Sequence, residues 1–223
     1  MEEFFYYSWT ILPSLLEGTV ITLQLSAVCI VVGLAAGSMI GLARVYGNKP
    51  VYRIATIYVE VVRGTPLITQ VFFIYFGLGD IGILLKPVVA AGLALGINTA
   101  AYQAEYFRGA IRAIKPGQMT AVQAMGGTKF DAIRYVIIPQ MFRLVIPSAS
   151  NEIIYMVKCT SIAFTVGVPE LMFKANREGL MHFKYVETYI LAALIYIVII
   201  LTLAQVLKFV ELKIAIPGLG LKA

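Results

Sequence analysis

Apolar residues dominate five long stretches of this chain, at about 19–43, 54–78, 87–107, 142–164 and 185–209, with shorter polar segments between them. Crossing a bilayer takes about 20 mostly apolar residues in a helix, and each stretch is long enough. The pattern predicts an all-α membrane protein with about five transmembrane helices, residues 1–223 forming a single transmembrane domain. In the first stretch Gly33, Gly37 and Gly41 recur every fourth residue, which makes a smooth face that lets a second helix approach closely in lipid. The second stretch is interrupted by Glu60, Arg63, Gly64 and Pro66, and Gly64-Thr65-Pro66 is read as a helix break. Ahead of the first stretch, Phe4, Phe5, Tyr6, Tyr7 and Trp9 fit a helix lying at the lipid–water boundary. Val166-Gly167-Val168-Pro169 marks a further break after the fourth.

Composition supports this reading. Of 223 residues, 60% are hydrophobic and 13% charged, against roughly 25% charged in a soluble domain. The net charge of +6 is therefore not a nucleic-acid signature, because basic residues of polytopic membrane proteins collect in cytoplasmic loops. Arg44, Lys49, Arg53, Arg108, Arg112, Lys115, Lys129, Arg134, Arg143, Lys208, Lys213 and Lys222 fall on one side of the predicted spans. Lys86, Lys174, Arg177 and Lys184 fall on the other, together with Glu170, Glu178, Glu187 and an acidic N-terminus. This asymmetry predicts an external N-terminus and a cytoplasmic C-terminus in a multi-pass protein of the cytoplasmic (inner) cell membrane. Glu2 and Glu3 stand where a leader peptide would carry positive charge, so no cleaved signal is expected. Cys29 and Cys159 lie apart within apolar stretches and are expected to be buried thiols.

One cytoplasmic segment, about 114–139, is too long for a simple connection between helices. As a helix, it presents Ala121, Ala124 and Met125 on one face, bracketed by Gly117 and Gly126. A short helix with a shallow apolar face suits a groove on another protein; the alternative is packing on its own membrane domain. The chain has no phosphate-binding G-x-x-x-x-G-K-[ST] loop, so any ATP would have to be bound by another chain.

Gly117, Gln118, Ala121, Ala124, Gly126, Ile137 and Pro139 resemble the EAA motif of ABC importer permeases. Thr120 stands where that motif has an acidic residue, and Val122 replaces an alanine. Four further stretches resemble polar amino-acid permeases in the same order: Glu17 to Leu23; Arg63-Gly64-Thr65-Pro66-Leu67 with Gln70; Ala101 to Ile111; and Asn151 with Lys158 to Ser161, where Cys159 replaces a common aspartate. The resemblance implies a type I importer fold with a cytoplasmic coupling helix. Gly117, Gln118, Ala121, Ala124, Met125 and Gly126 would contact the ATPase. It also implies a second permease subunit, two ATP-binding cassette subunits carrying ATP and Mg, and an extracytoplasmic substrate-binding protein. The chain itself would be a transport subunit, not an enzyme, and no cofactor is expected in it.

Polar groups inside spans face a cavity or a partner. The candidates are Glu60, Arg63, Asn98, Gln103, Glu105, Asn151, Glu152 and Lys158. Glu105 with Arg108, and Glu60 with Arg63, have ion-pair spacing, and Lys158 suits snorkelling or a local pair. Glu152 has Ser148, Ala149, Tyr155 and Met156 at the neighbouring helical positions, none of them basic. Its carboxylate therefore takes up a proton, meets a distant partner such as Arg63, or awaits a substrate cation. The last option points to basic amino acids (arginine, lysine, histidine), with Glu152, Asn98, Asn151, Ser161 and Gln70 as substrate-binding candidates. An alternative is an ion-gradient-driven secondary transporter with Glu152 as its proton or cation site, although no internal repeat supports it. His182 is expected at the surface with no metal around it.

Overall fold

The computed structural model describes residues 2–214; Met1 and 215–223, with Lys222, lie outside the described residues. Eight helices follow in order: α1 (Glu2–Tyr46), α2 (Lys49–Gly64), α3 (Leu67–Asp80), α4 (Pro87–Ala113), α5 (Gly117–Ala124), α6 (Lys129–Val166), α7 (Leu171–His182) and α8 (Tyr185–Ile214). The fold is all-α, with no strand among the described residues.

α1 and α8 are each long and apolar enough to cross a membrane. The bent pairs α2–α3 and α6–α7 satisfy the same criterion when each is taken as one span. α4 is too polar to count by composition, although its 27 residues reach about 40 Å. The reason is its position. α4 is enclosed by α1, α2, α3 and α6, so Asn98, Thr99 and Gln103 are buried in protein rather than facing lipid.

The glycine ladder sets the central contact. A Cβ on Gly37 would stand 2.5 Å from Gln103 Cβ, and one on Gly41 2.8 Å from Phe107 Cβ, while Gly33 meets Thr99. Numbers rise together along both helices, so α1 and α4 run parallel. A parallel neighbour requires the intervening chain to return, which the α2–α3 pair does.

That return is bent by 106°. Thr65 adopts an extended conformation before Pro66, because the proline ring disfavours the helical conformation for the residue preceding it. The Gly64-Thr65-Pro66 break is therefore observed. α2 begins earlier than predicted, at Lys49, where the Asn48 side chain caps the amide of Val51 at 3.1 Å.

Three segments add to the sequence reading. The N-terminal aromatic cluster is not a separate boundary helix; it is the first two turns of α1, which runs unbroken to Tyr46. Phe5, Tyr6 and Trp9 are exposed, but Tyr7, Ile11 and Leu15 pack against Leu171 and Ala175 of α7 and Ala192 of α8. The helix that carries the fourth predicted stretch begins at Lys129, upstream of residue 142, because Thr128 and Asp131 form a reciprocal capping box that starts a helix there. Pro139 falls at the start of that helix's regular α portion, just past a π turn at Ala132–Ile137. Finally, the segment with Glu170, Lys174 and Arg177 forms helix α7 and its cap, docked on α1 and α8. Glu170 is fully buried at its N-terminus.

Candidate functional site

α4 carries the polar stripe around which the site is organised. Asn98, Tyr102 and Tyr106 recur at four-residue spacing and so share one face. Each meets a different element. Asn98 Nδ2 donates to Gln70 Oε1 on α3 at 3.2 Å. Tyr102 lies under the Arg63 guanidinium of α2, 5.0 Å from the ring centre. Tyr106 Oη donates to Glu152 Oε2 on α6 at 3.2 Å.

The five substrate candidates therefore divide. Gln70 and Asn98 form one amide pair. Gln70 Nε2 also donates to the Val62 carbonyl at 2.7 Å and the Thr65 carbonyl at 3.1 Å, which ties it to the α2–α3 corner. Glu152 is 4% exposed, and its Oε1 has no hydrogen-bond partner among the described residues. No lysine or arginine of the described residues comes within ion-pair distance of it. Asn151 is exposed, since adjacent helical residues point about 100° apart. Ser161 is spent locally, its hydroxyl donating to the Lys158 carbonyl at 2.7 Å. The geometry does not bring Asn151 or Ser161 to the carboxylate.

The expected ion pairs also separate. Glu105 does bond Arg108, at 2.6 Å, and it also bonds Arg44 of α1. Glu60 and Arg63 do not pair. Glu60 is exposed, and the nearest carboxylate oxygen to Arg63 is that of Glu105 at 4.0 Å. Lys158 lies 5.9 Å from the Tyr155 ring centre, a local contact as anticipated. Gln103 is fully buried beneath Gly37, and neither of its amide atoms has a partner among the described residues. Cys29 and Cys159 are buried free thiols. His182 is largely exposed, 3.6 Å from Glu178 and edge-on to Tyr7.

The second candidate surface is α5. Gly117, Gln118, Ala121, Ala124, Met125 and Gly126 are all exposed, Met125 at 81%, while Met119 and Val122 are half-buried against the chain. Met119 packs on the cluster around Phe107 and Ile114. The helix stops because Gly126 takes φ of +87°, and its amide and that of Gly127 close back on Gln123 and Val122. Next to it, hydrogen bonds from the Thr128 hydroxyl and amide hold the Asp131 carboxyl below its usual range.

Several participants were not foreseen: Tyr106, Arg44 and Glu170. Tyr106 was discoverable, since it stands two helical repeats beyond Asn98 on the same stripe. Thr128-x-x-Asp131 is a readable capping signal. Glu170 carries no such mark. It accepts the amides of Met172 and Phe173 at 2.9 and 2.7 Å and the hydroxyls of Tyr196 and Thr22 at 3.1 and 3.4 Å.

A helical core with apolar helices long enough to cross a membrane, polar groups enclosed around one helix and a small exposed helix beyond it fits a membrane transport subunit. The family of binding-protein-dependent transport system inner membrane components matches residues 11–216, and this chain belongs to that family. It is 36% identical over 204 residues to the arginine transport system permease protein ArtQ of Bacillus subtilis (strain 168), covering 91% of this chain and 93% of ArtQ. It is 35% identical over 212 residues to the glutamine transport system permease protein GlnP of Escherichia coli (strain K12), covering 93% and 96%. Among solved structures, an amino acid ABC transporter described with histidines superposes with a TM-score of 0.84 at 37% identity, over 90% of this chain and 94% of that one. The MetNI methionine ABC transporter shares the fold, with a TM-score of 0.73 at 19% identity over 93% and 97%. The chain is an integral membrane permease subunit of an amino-acid ABC importer, a family that works with ATPase and substrate-binding partners, and it is not an enzyme. The family assignment goes against an ion-gradient-driven carrier.

Proposed function

We propose that this subunit carries basic amino acids inward, with Glu152 receiving the substrate cation. The observation that carries this reading is the buried Oε1 of Glu152, which has neither a hydrogen-bond donor nor a cation within the described residues. An uncompensated carboxylate at such a position is costly, and a substrate ammonium or guanidinium offsets that cost. The names of ArtQ and of the transporter described with histidines support the same substrate class.

In this reading α1, the α2–α3 pair, α4, the α6–α7 pair and α8 make five crossings of the inner cell membrane, with the N-terminus outside. Two permease subunits, identical or similar, form the pathway. Each docks the exposed face of α5 on one of two ATPase subunits, which bind ATP and Mg. ATP-driven closure of the ATPases draws the two α5 helices together and turns the pathway outward, where a binding protein delivers substrate.

The relationship to GlnP favours a second reading, a neutral polar substrate held by the Asn98–Gln70 amide pair. Binding of arginine, histidine, glutamine and glutamate to the assembled complex separates the two. The first reading expects arginine or histidine to bind tightest and Glu152→Gln to weaken that binding with assembly intact. Tight glutamine or glutamate binding without basic amino-acid binding overturns it.

A further inference from the structure

Two opposite charges from other helices, Arg63 of α2 and Glu152 of α6, lie against the polar stripe of α4 without a close ionic partner. Both oxygens of Glu105 are already engaged, Oε1 by Arg44 and Oε2 by Arg108. Arg63 stands 4.0 Å from that carboxylate and forms no hydrogen bond among the described residues. Its side chain is 40% exposed and rests on the face of Tyr102. Glu152 Oε1 is buried and equally unclaimed. Tyr102 and Tyr106, which hold these two groups, are one helical turn apart, so their Cβ atoms are separated by about 6 Å. No ion pair joins Arg63 to Glu152 among the described residues.

Arg63 is also placed to move. It is the penultimate residue of α2, next to the Gly64-Thr65-Pro66 corner where the chain bends by 106°. A change in that angle swings its guanidinium along the α4 stripe. Leaving the buried Glu152 carboxylate uncompensated at low dielectric is unfavourable, which favours a state in which the partly exposed Arg63 guanidinium reaches it.

We propose that Arg63 is a specificity-determining residue that closes on Glu152 when the pathway is empty and is displaced by the substrate cation. The proposal rests on Glu152 being the cation site. Arg63 is then an internal competitor whose removal tightens basic substrates and leaves neutral ones alone. A guanidinium that merely braced the fold would not make that distinction.

The test uses the permease assembled with its ATPase subunits in lipid nanodiscs, with arginine and glutamine as ligands. If Arg63 occupies Glu152 nine-tenths of the time, Arg63→Met tightens arginine about tenfold and leaves glutamine unchanged. In a Glu152→Gln background the same substitution has no effect on arginine. Should Arg63→Met fail to assemble, Arg63→Lys keeps the charge with a shorter reach, and if that lysine occupies Glu152 about two-thirds of the time it tightens arginine about threefold. Unchanged or weaker arginine binding in the assembled variant overturns the proposal, as does tightening that persists without Glu152. Loss of arginine binding in Glu152→Gln with no gain in Arg63→Met removes the competitor but keeps the cation site. Arginine binding that ignores Glu152→Gln removes both.

Discussion

Tyr106 Oη donates to Glu152 Oε2 at 3.2 Å, and this is the only hydrogen bond the Glu152 carboxylate accepts among the described residues. The phenol thus aims one carboxylate oxygen and leaves the other unclaimed. Tyr106→Phe keeps the ring and removes the donor, so the carboxylate loses its fixed orientation. A single hydrogen bond to a charged group contributes about 1.5 kcal/mol, or roughly a tenfold change. Arginine affinity of the assembled complex should fall by up to that factor, with the melting temperature nearly unchanged. Equal arginine binding by wild type and variant would show that Tyr106 does not orient the site.

Gly37 provides a packing test. Its Cβ position is 2.5 Å from Gln103 Cβ and 3.0 Å from the Ala104 amide nitrogen, so α1 and α4 must separate to admit even alanine. Overpacking of this kind costs about 1–3 kcal/mol. Gly92 on the same α4 meets only Leu25 Cδ1, at 3.5 Å. Thermal unfolding in detergent should show Gly37→Ala clearly destabilised and Gly92→Ala close to wild type.

Charge removal distinguishes Glu105 from Glu60. Glu105 compensates Arg44, whose side chain is 8% exposed. Breaking a buried pair by removing one partner costs about 3–5 kcal/mol, toward the lower end here because Arg108 and Arg63 are partly exposed. Glu105→Gln should lower the yield of folded, assembled complex, while Glu60→Gln, at an exposed and unpaired position, should not. Comparable yields for the two variants would remove Glu105 from its bracing role.

The two faces of α5 should also separate in function. Ala121 is exposed and Val122 half-buried. Ala121→Asp is expected to leave the permease folded but reduce substrate-stimulated ATP hydrolysis by about tenfold, the effect of losing roughly 1.4 kcal/mol of docking energy. Val122→Asp should instead destabilise the permease itself, since it buries a charge. ATPase assays on reconstituted complexes, together with melting of the isolated permease, check both.

Local chemistry was legible where a residue acts on its own neighbours. The Gly64-Thr65-Pro66 corner follows from proline sterics, and the α5 stop from a glycine that tolerates positive φ at 126. The glycine ladder announced a close contact, but not that its partner would be Thr99, Gln103 and Phe107 in parallel register. Charges were harder to place. Glu105 and Arg108 sit three residues apart and found each other, whereas the same spacing in Glu60 and Arg63 did not. The difference is that α4 is enclosed and α2 leaves Glu60 exposed.

The sequence by itself determined an all-helical membrane chain, its breaks and its family, because hydropathy and backbone preference act over a few residues and motifs are written in order. Tertiary structure alone decided which polar groups meet across helices. Asn98 joins Gln70 across 28 positions, Tyr106 joins Glu152 across 46, and Thr22 joins Glu170 across 148. Such contacts depend on the packing of whole helices against one another, and no local pattern specifies that. Low dielectric makes each of them consequential, since a polar group left unpaired among buried helices has no water to turn to.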